Sequence, residues 1–192
     1  IHIHDLDYYP TKTTTCIQYD LDDLFERGFR TKNGSIRTPQ SIQSYATLAT
    51  IIFQTNQNEQ HGGQAIPAFD FFMAKGVRKT HLKHLQTLTD FYREVEGKEP
   101  NEDALKKIEE KALAMTRKDT HQAMEGFIHN LNTMHSRGGN QVVFSSINYG
   151  TDTSAEGRMV IEELLKATIE GLGSRGEVPV FPIQIFKIKD GV

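Results

Sequence analysis

The chain has 192 residues, with 22 basic and 25 acidic side chains giving a net charge of −3, so it carries no global attraction for nucleic acid or anionic membranes. Its single cysteine excludes an internal disulfide, which fits a reducing compartment. No apolar run approaches the roughly 18 residues of a membrane span and no signal peptide is legible, so a soluble, cytoplasmic chain with one sizeable domain is expected.

The chain opens at Ile1 inside what reads as a motif, without an initiator methionine, and stops at Val192 just after a strand pattern, as a piece of a longer protein would. The first stretch, Ile1 to Tyr19, gathers His2, His4, Asp5, Asp7, Tyr8, Tyr9 and Cys16. Pro10 marks a turn, and the β-branched run Thr13 to Tyr19 predicts a strand. Alternation places Thr14, Cys16 and Gln18 on one face and Thr15, Ile17 and Tyr19 on the other. On position alone Cys16 is a small buried hydrophobe rather than a reactive thiol.

Asp20 to Phe29 predicts a short helix with an acidic first turn. Asp20, Asp22, Asp23 and Glu26 make a potential cation site, but read first as a solvated, dipole-matched turn. Lys32 to Ser35 is a turn signal. Thr38 and Pro39 predict the start of a helix whose inward face is Ile42, Tyr45, Ala46, Ala49, Ile52 and Phe53. Glu59 to Gln64, with its paired glycines and His61, is either a tight connection or a ligand-facing loop leading into a short strand, Ala65 to Phe69. Phe69, Phe71 and Phe72 read as core.

Two helices follow, Val77 to Val95 and a long one from Asn101 to Met134. The second carries Leu105, Ile108, Ala112, Met115, Met124, Phe127, Leu131 and Met134 at helical spacing. Its length of about 50 Å at 1.5 Å per residue exceeds what the domain needs, so a homodimer contact is expected along it. Ser136 to Asn140 is a basic loop, and Gln141 to Tyr149 a second strand. Gly150 to Ser154 turns into a helix with Val160, Ile161, Leu164, Leu165 and Thr168 on one face. Its N-terminus suits an anion, or capping alone. Val180 to Ile188 is the third long strand.

Connections too long for hairpins predict parallel strands with crossover helices, an α/β architecture. The apolar runs Val142 to Phe144 and Phe181 to Phe186 suggest strands buried on both faces, as in a barrel or doubly wound sheet. No repeat or low-complexity linker divides the chain.

Two chemistries compete. His2 and His4 share one strand face and, with Asp5, Asp7 and His61, suggest a metal-dependent barrel hydrolase, a spacing similar to that of barrel amidohydrolases. The remaining histidines, His81, His84, His121, His129 and His135, fall in predicted helices and not at strand ends. The second chemistry comes from motif order. His2-Ile3-His4-Asp5-Leu6-Asp7-Tyr8, Thr15-Cys16-Ile17-Gln18-Tyr19-Asp20-Leu21, Pro39-Gln40-Ser41-Ile42 and Gln60-His61-Gly62-Gly63-Gln64 follow one another. Gly139-Asn140-Gln141-Val142-Val143-Phe144-Ser145-Ser146, Gly150-Thr151-Asp152-Thr153-Ser154, Gly171-Leu172-Gly173 and Val180-Phe181-Pro182 complete the series. Together they closely resemble the anaerobic, glycyl-radical ribonucleoside-triphosphate reductases over essentially the whole chain.

That resemblance implies the first half of a ten-stranded α/β barrel with a long dimerisation-type helix. It implies reduction of ribonucleoside triphosphates to deoxyribonucleotides for DNA synthesis, with formate as reductant and a stored glycyl radical that makes a thiyl radical elsewhere. It reverses the bland reading of Cys16, which matches the family's cysteine on the first barrel strand. His2 and His4 become candidates to hold formate or position a proton. Ser145 and Ser146 point to opposite faces, so Asn148 joins the substrate side if Ser146 is the inward one. Arg137 and Gln141 fall in the loop that relays effector identity. The parent would bind ATP and deoxynucleotide effectors, require a radical-SAM activating protein, use no metal from this stretch, and dimerise. No second cysteine, radical glycine loop or ATP-binding regulatory module is present in this chain, so the piece alone is expected to be inactive. A nucleotide-binding regulatory module is the remaining alternative.

Overall fold

The computed structural model describes residues 16–31, 34–57, 62–134 and 142–189. In chain order the elements are β1 (Ile17–Gln18), α1 (Leu21–Arg27), β2 (Phe29–Thr31), β3 (Gly34–Ile36), α2 (Ile42–Gln57), β4 (Gln64–Ile66), α3 (Phe69–Glu96), α4 (Glu102–Thr133), β5 (Ser145–Tyr149), α5 (Ala155–Glu170) and β6 (Ile183–Phe186). A turn of 3-10 helix, Gly173–Arg175, precedes β6. The strands β1-β4-β5-β6 form one sheet in that order, and every pairing in it is parallel. The expected α/β plan of parallel strands and helical crossovers is therefore present, while the described residues close no barrel.

The helices cover one face of the sheet. Ile66, Ile147 and Tyr149 are buried there with Phe53, Phe69, Phe127, Val160 and Leu164. Among the described residues nothing covers the other face: Phe144, Ile183 and Ile185 are 52%, 44% and 45% exposed. The expectation of strands buried on both faces is met on the helix side; on the other side the described residues supply no packing partners for the apolar runs.

Local chemistry explains the helix boundaries. Asp20 caps α1, accepting from Asp22 N and Asp23 N at 3.0 and 3.4 Å. Lys75 neutralises Asp22 at 3.0 Å and Glu26 at 3.6 Å, and Arg27 pairs with Asp23. The acidic run is a cap with ion pairs. Of the expected turn Lys32 to Ser35, Lys32 and Asn33 lie outside the described residues, while Gly34 and Ser35 belong to β3, which pairs antiparallel with β2, a pairing absent from the sequence expectations.

α2 starts at Ile42, not at Thr38 and Pro39. Ser41 Oγ accepts from Ser44 N at 3.3 Å, and Ile42 N donates to Thr80 Oγ1 on α3 at 2.8 Å. Thr38 instead donates to the carbonyl of Glu26. α3 starts eight residues before the expected Val77, because Phe69–Met73 belong to its first turns and Gly76 does not break it. Gly76 lets α2 and α3 approach closely: a Cβ there would meet Tyr45 Cγ at 2.9 Å and Ile42 Cα at 3.2 Å. Phe69 and Phe72 are core as expected, but Phe71 is 47% exposed on the outer side of that turn.

α4 runs for 32 residues with Asn101 as its cap, Oδ1 accepting from Ala104 N at 2.9 Å, which corresponds to about 48 Å of helix. Ile108, Ala112, Met124, Phe127 and Leu131 bury as expected, whereas Leu105 and Met134 near its ends stay exposed. Between α4 and α5, the carboxylate of Glu163 is buried against Arg117, Lys166 and His121 at 2.8, 3.0 and 3.1 Å. No helix among the described residues is long and apolar enough to cross a membrane.

Candidate active site on the uncovered sheet face

Register places the candidate residues. Ile17 pairs with Gln64 and Gln64 with Ser145, and these side chains point to the helices. The alternate positions therefore share the uncovered face: Gln18 on β1, Ala65 on β4, Ser146 and Asn148 on β5, Ile183 and Ile185 on β6. One step earlier in the ladder, Ile17 N donates to Gly63 O at 3.2 Å and Gln64 N to Phe144 O at 3.1 Å. Cys16, Gly63 and Phe144 lie at that level, on the same face as Ser146. Cys16 is a free, exposed thiol.

Ser146 is the serine on the uncovered face, and Asn148 accompanies it, as the alternation predicts. Among the described residues Ser146 Oγ makes only a long bond to Gln64 O at 3.4 Å. Asn148 Oδ1 is buried without a hydrogen-bond partner. Such an oxygen is costly to leave unpaired, so it marks a position for which the described residues supply no donor. Ser145 faces the helices and donates to Val143 O. His2, His4, Asp5, Asp7, His61, Arg137 and Gln141 lie outside the described residues. Among the described residues, no group of three or more His, Cys, Asp or Glu side chains is placed to hold a metal ion.

Behind the face, a buried polar chain fixes β1 on β4. Tyr19 Oη donates to Gln64 Oε1 at 2.6 Å, and Gln64 Nε2 donates to Phe53 O and Gln57 Oε1 at 3.0 and 2.9 Å. Burial holds the Tyr19 phenol well above its ordinary range, so the group stays a donor. Cys16 sits three residues before this anchor.

The loop at the C-terminal end of β5 has an occupant that the sequence reading missed. Asp70, wholly buried in the first turn of α3, accepts on Oδ2 from Gly150 N, Thr151 N and Asp152 N at 2.8, 3.1 and 3.0 Å. Its Oδ1 accepts from Phe71 N at 3.1 Å. Three successive N–H groups converging on one oxygen form an anion nest, filled here by a carboxylate of the same chain. Ser154 Oγ accepts from Gly157 N at 3.0 Å and Asp152 Oδ1 from Ser154 N at 2.8 Å. Of the two readings of this helix N-terminus, capping is the one realised. The sequence signal for Asp70 was an acid at a helix start, which any helix N-terminus attracts.

A parallel four-stranded sheet with crossover helices, carrying the free thiol of Cys16 beside it, defines a protein of the α/β class. The family model described as anaerobic ribonucleoside-triphosphate reductase matches residues 1–192, and the chain belongs to that family. The anaerobic ribonucleoside-triphosphate reductase of Enterobacteria phage T4 is 32% identical over all of this chain, which covers 30% of that protein. The proteins of the same name from Haemophilus influenzae and Escherichia coli are 31% and 30% identical, again over all of this chain and over 26% and 25% of their own lengths. The chain thus spans between a quarter and a third of the curated relatives it matches.

Proposed function

We propose that this chain is part of an anaerobic ribonucleoside-triphosphate reductase that converts ribonucleoside triphosphates to 2′-deoxyribonucleoside triphosphates for DNA synthesis. The observation that carries the reading is the exposed Cys16 thiol on the same uncovered sheet face as Ser146 and Asn148. In this reading the stored glycyl radical lies outside the chain and supplies a thiyl radical that removes the ribose 3′ hydrogen. Cys16 donates its S–H hydrogen at C2′ after the 2′ hydroxyl has left as water, and formate, oxidised to carbon dioxide, supplies the two electrons of the reduction so that the Cys16 sulfur returns to its thiol. Ser146 and Asn148 orient the ribose, the Asn148 carboxamide oxygen accepting from a substrate hydroxyl. His2 and His4 hold formate, the reductant, or position a proton.

The sheet forms the first half of a ten-stranded barrel, and the rest of the parent covers its open face. Arg137 and Gln141 relay the identity of ATP or deoxynucleotide effectors. The parent is a cytoplasmic homodimer activated by a radical-SAM protein. Its contact uses the α3–α4 hairpin, at whose tip Leu88, Phe91, Val95, Ala104 and Ile108 line an open cleft of about 490 Å³. Phe91→Asp with Val95→Asp should convert the full-length protein to a monomer in sedimentation; an unchanged dimer would place the contact elsewhere.

The deciding experiment is anaerobic turnover of a ribonucleoside triphosphate by the full-length activated enzyme, wild type against Cys16→Ser, with the glycyl radical followed by electron paramagnetic resonance. Lost reduction with the radical intact supports the assignment. Full activity in the serine variant makes Cys16 structural.

A further inference from the structure

We infer that Gly63 determines specificity at this site: by withholding a side chain between Cys16 and Phe144 it keeps open a notch that receives the ribose of the nucleotide. The inference rests on the reading of Cys16 given above and extends it to a residue with no chemistry of its own.

Most glycines of the site region answer to the fold. Gly150 has φ +114° and a Cβ there would meet Lys187 O at 2.6 Å, while a Cβ on Gly157 would meet Asp152 Oδ2 at 2.3 Å. Gly76 is held by Tyr45. Gly63 answers to neither demand. Its φ lies outside the left-handed region, and among the described residues its Cβ would touch only Phe144 Cδ1 and Cε1, at the ordinary contact distances of 3.6 and 3.8 Å. An alanine would fit this chain without strain, and a side chain is normally favoured at a ladder position because glycine orders at an entropic cost.

The cross-strand neighbours of Gly63 would form the walls of that notch. Cys16 flanks it on the β1 side and the half-exposed Phe144 ring, packed edge-on against Phe181 at 5.1 Å between centroids, on the β5 side. Further along the same face stand Ser146, with its single long bond, and Asn148, whose buried Oδ1 has no partner. An apolar wall, a thiol and unsatisfied hydroxyl-binding groups suit a pentose: C–H bonds against the ring, hydroxyls toward Ser146 and Asn148.

The test uses the full-length activated enzyme carrying Gly63→Ala or Gly63→Val, with kcat and KM for a ribonucleoside triphosphate, glycyl-radical content and thermal unfolding all measured. One methyl group in a fitted pocket raises KM about tenfold or more, and valine raises it further, with radical content and unfolding temperature as in wild type. A KM within twofold of wild type in both variants overturns the inference, as does a lowered unfolding temperature for Gly63→Ala. Adding Phe144→Leu to Gly63→Ala separates the remaining explanation. If the double variant regains wild-type KM, the glycine merely makes room for the ring, and the inference fails. Cys16→Ser distinguishes this from failure of the parent reading: it should lose reduction with the glycyl radical intact while its Kd for the ribonucleoside triphosphate, measured by equilibrium dialysis, stays that of wild type, whatever Gly63 does.

Discussion

Replacing Asp70 by alanine should be among the most damaging single changes available in this chain. The side chain is wholly buried and accepts four backbone N–H bonds, three of them on Oδ2 at 2.8 to 3.1 Å. A hydrogen bond to a charged group contributes about 1.5 to 3 kcal/mol, and bonds sharing one acceptor do not add fully. Relief of the buried charge returns part of the loss, so Asp70→Ala should cost about 3 to 5 kcal/mol, as removing one partner of a buried charged pair does. Asp70→Asn keeps an acceptor oxygen without the charge and should cost about 1 to 2 kcal/mol. Against a typical total stability of about 5 to 15 kcal/mol, the alanine change removes a large part. Urea unfolding followed by circular dichroism measures both, and hydrogen exchange at Gly150, Thr151 and Asp152 should accelerate selectively in the asparagine variant. A cost below about 1 kcal/mol for Asp70→Ala would refute the view that this carboxylate holds the loop after β5.

Gly76→Ala places a Cβ 2.9 Å from the Tyr45 ring and 3.2 Å from the Ile42 backbone, so overpacking should cost about 1 to 3 kcal/mol in the same unfolding assay. The Arg78 guanidinium, 3.0 Å from Glu156, holds that carboxyl below its ordinary value of 4.5. A depressed carboxylate contributes stability that is present above pH 4.5 and lost as pH falls through the lower folded value; an NMR titration should show Glu156 returning toward 4.5 in Arg78→Ala. Burial raises the phenols of Tyr149 and Tyr19 above their ordinary 10, so their contribution is complete below pH 10 and is lost as pH rises through the higher folded values. Tyrosinate absorbance against pH should reveal them as a delayed step that disappears on unfolding.

The parallel order and the placement of Ser146 and Asn148 were legible because both follow from local rules: connection length for the former, alternation for the latter. The long helix α4 was legible from its Asn101 cap and its spaced apolar residues. The missed features depend on contacts distant in sequence. Nothing local to Gly76 shows Tyr45 lying across it, and the start of α2 is decided partly by Thr80, 38 positions away. Phe71 looked like core beside Phe69 and Phe72, but three residues so close on one turn cannot all face inward at 3.6 residues per turn. Asp70 was invisible for the same reason as Thr80: its partners, Gly150 to Asp152, come 80 to 82 positions later.

The two sheet faces carry different duties, and the sequence divides accordingly. Toward the helices, polar side chains of the sheet are answered within the chain: Gln64 by Tyr19, Phe53 and Gln57, Ser145 by Val143, and Gln184 by Tyr149 and Thr168. Toward the other side, Asn148 Oδ1 is unanswered, Ser146 has one long bond, and Ile183 and Ile185 remain nearly half exposed. Parallel sheets are ordinarily covered on both faces, so this pattern fits a surface completed by residues of the longer parent. In the proposed barrel that completion changes the chemistry of Cys16 as well as its packing. A thiol in open solvent exchanges protons and oxidises freely, whereas the same thiol enclosed beside Phe144 is shielded from water and dioxygen and limited to the partner placed against it. Thiol-reactive reagents should therefore modify Cys16 much faster in the isolated chain than in the full-length enzyme, and equal rates in the two would argue against enclosure.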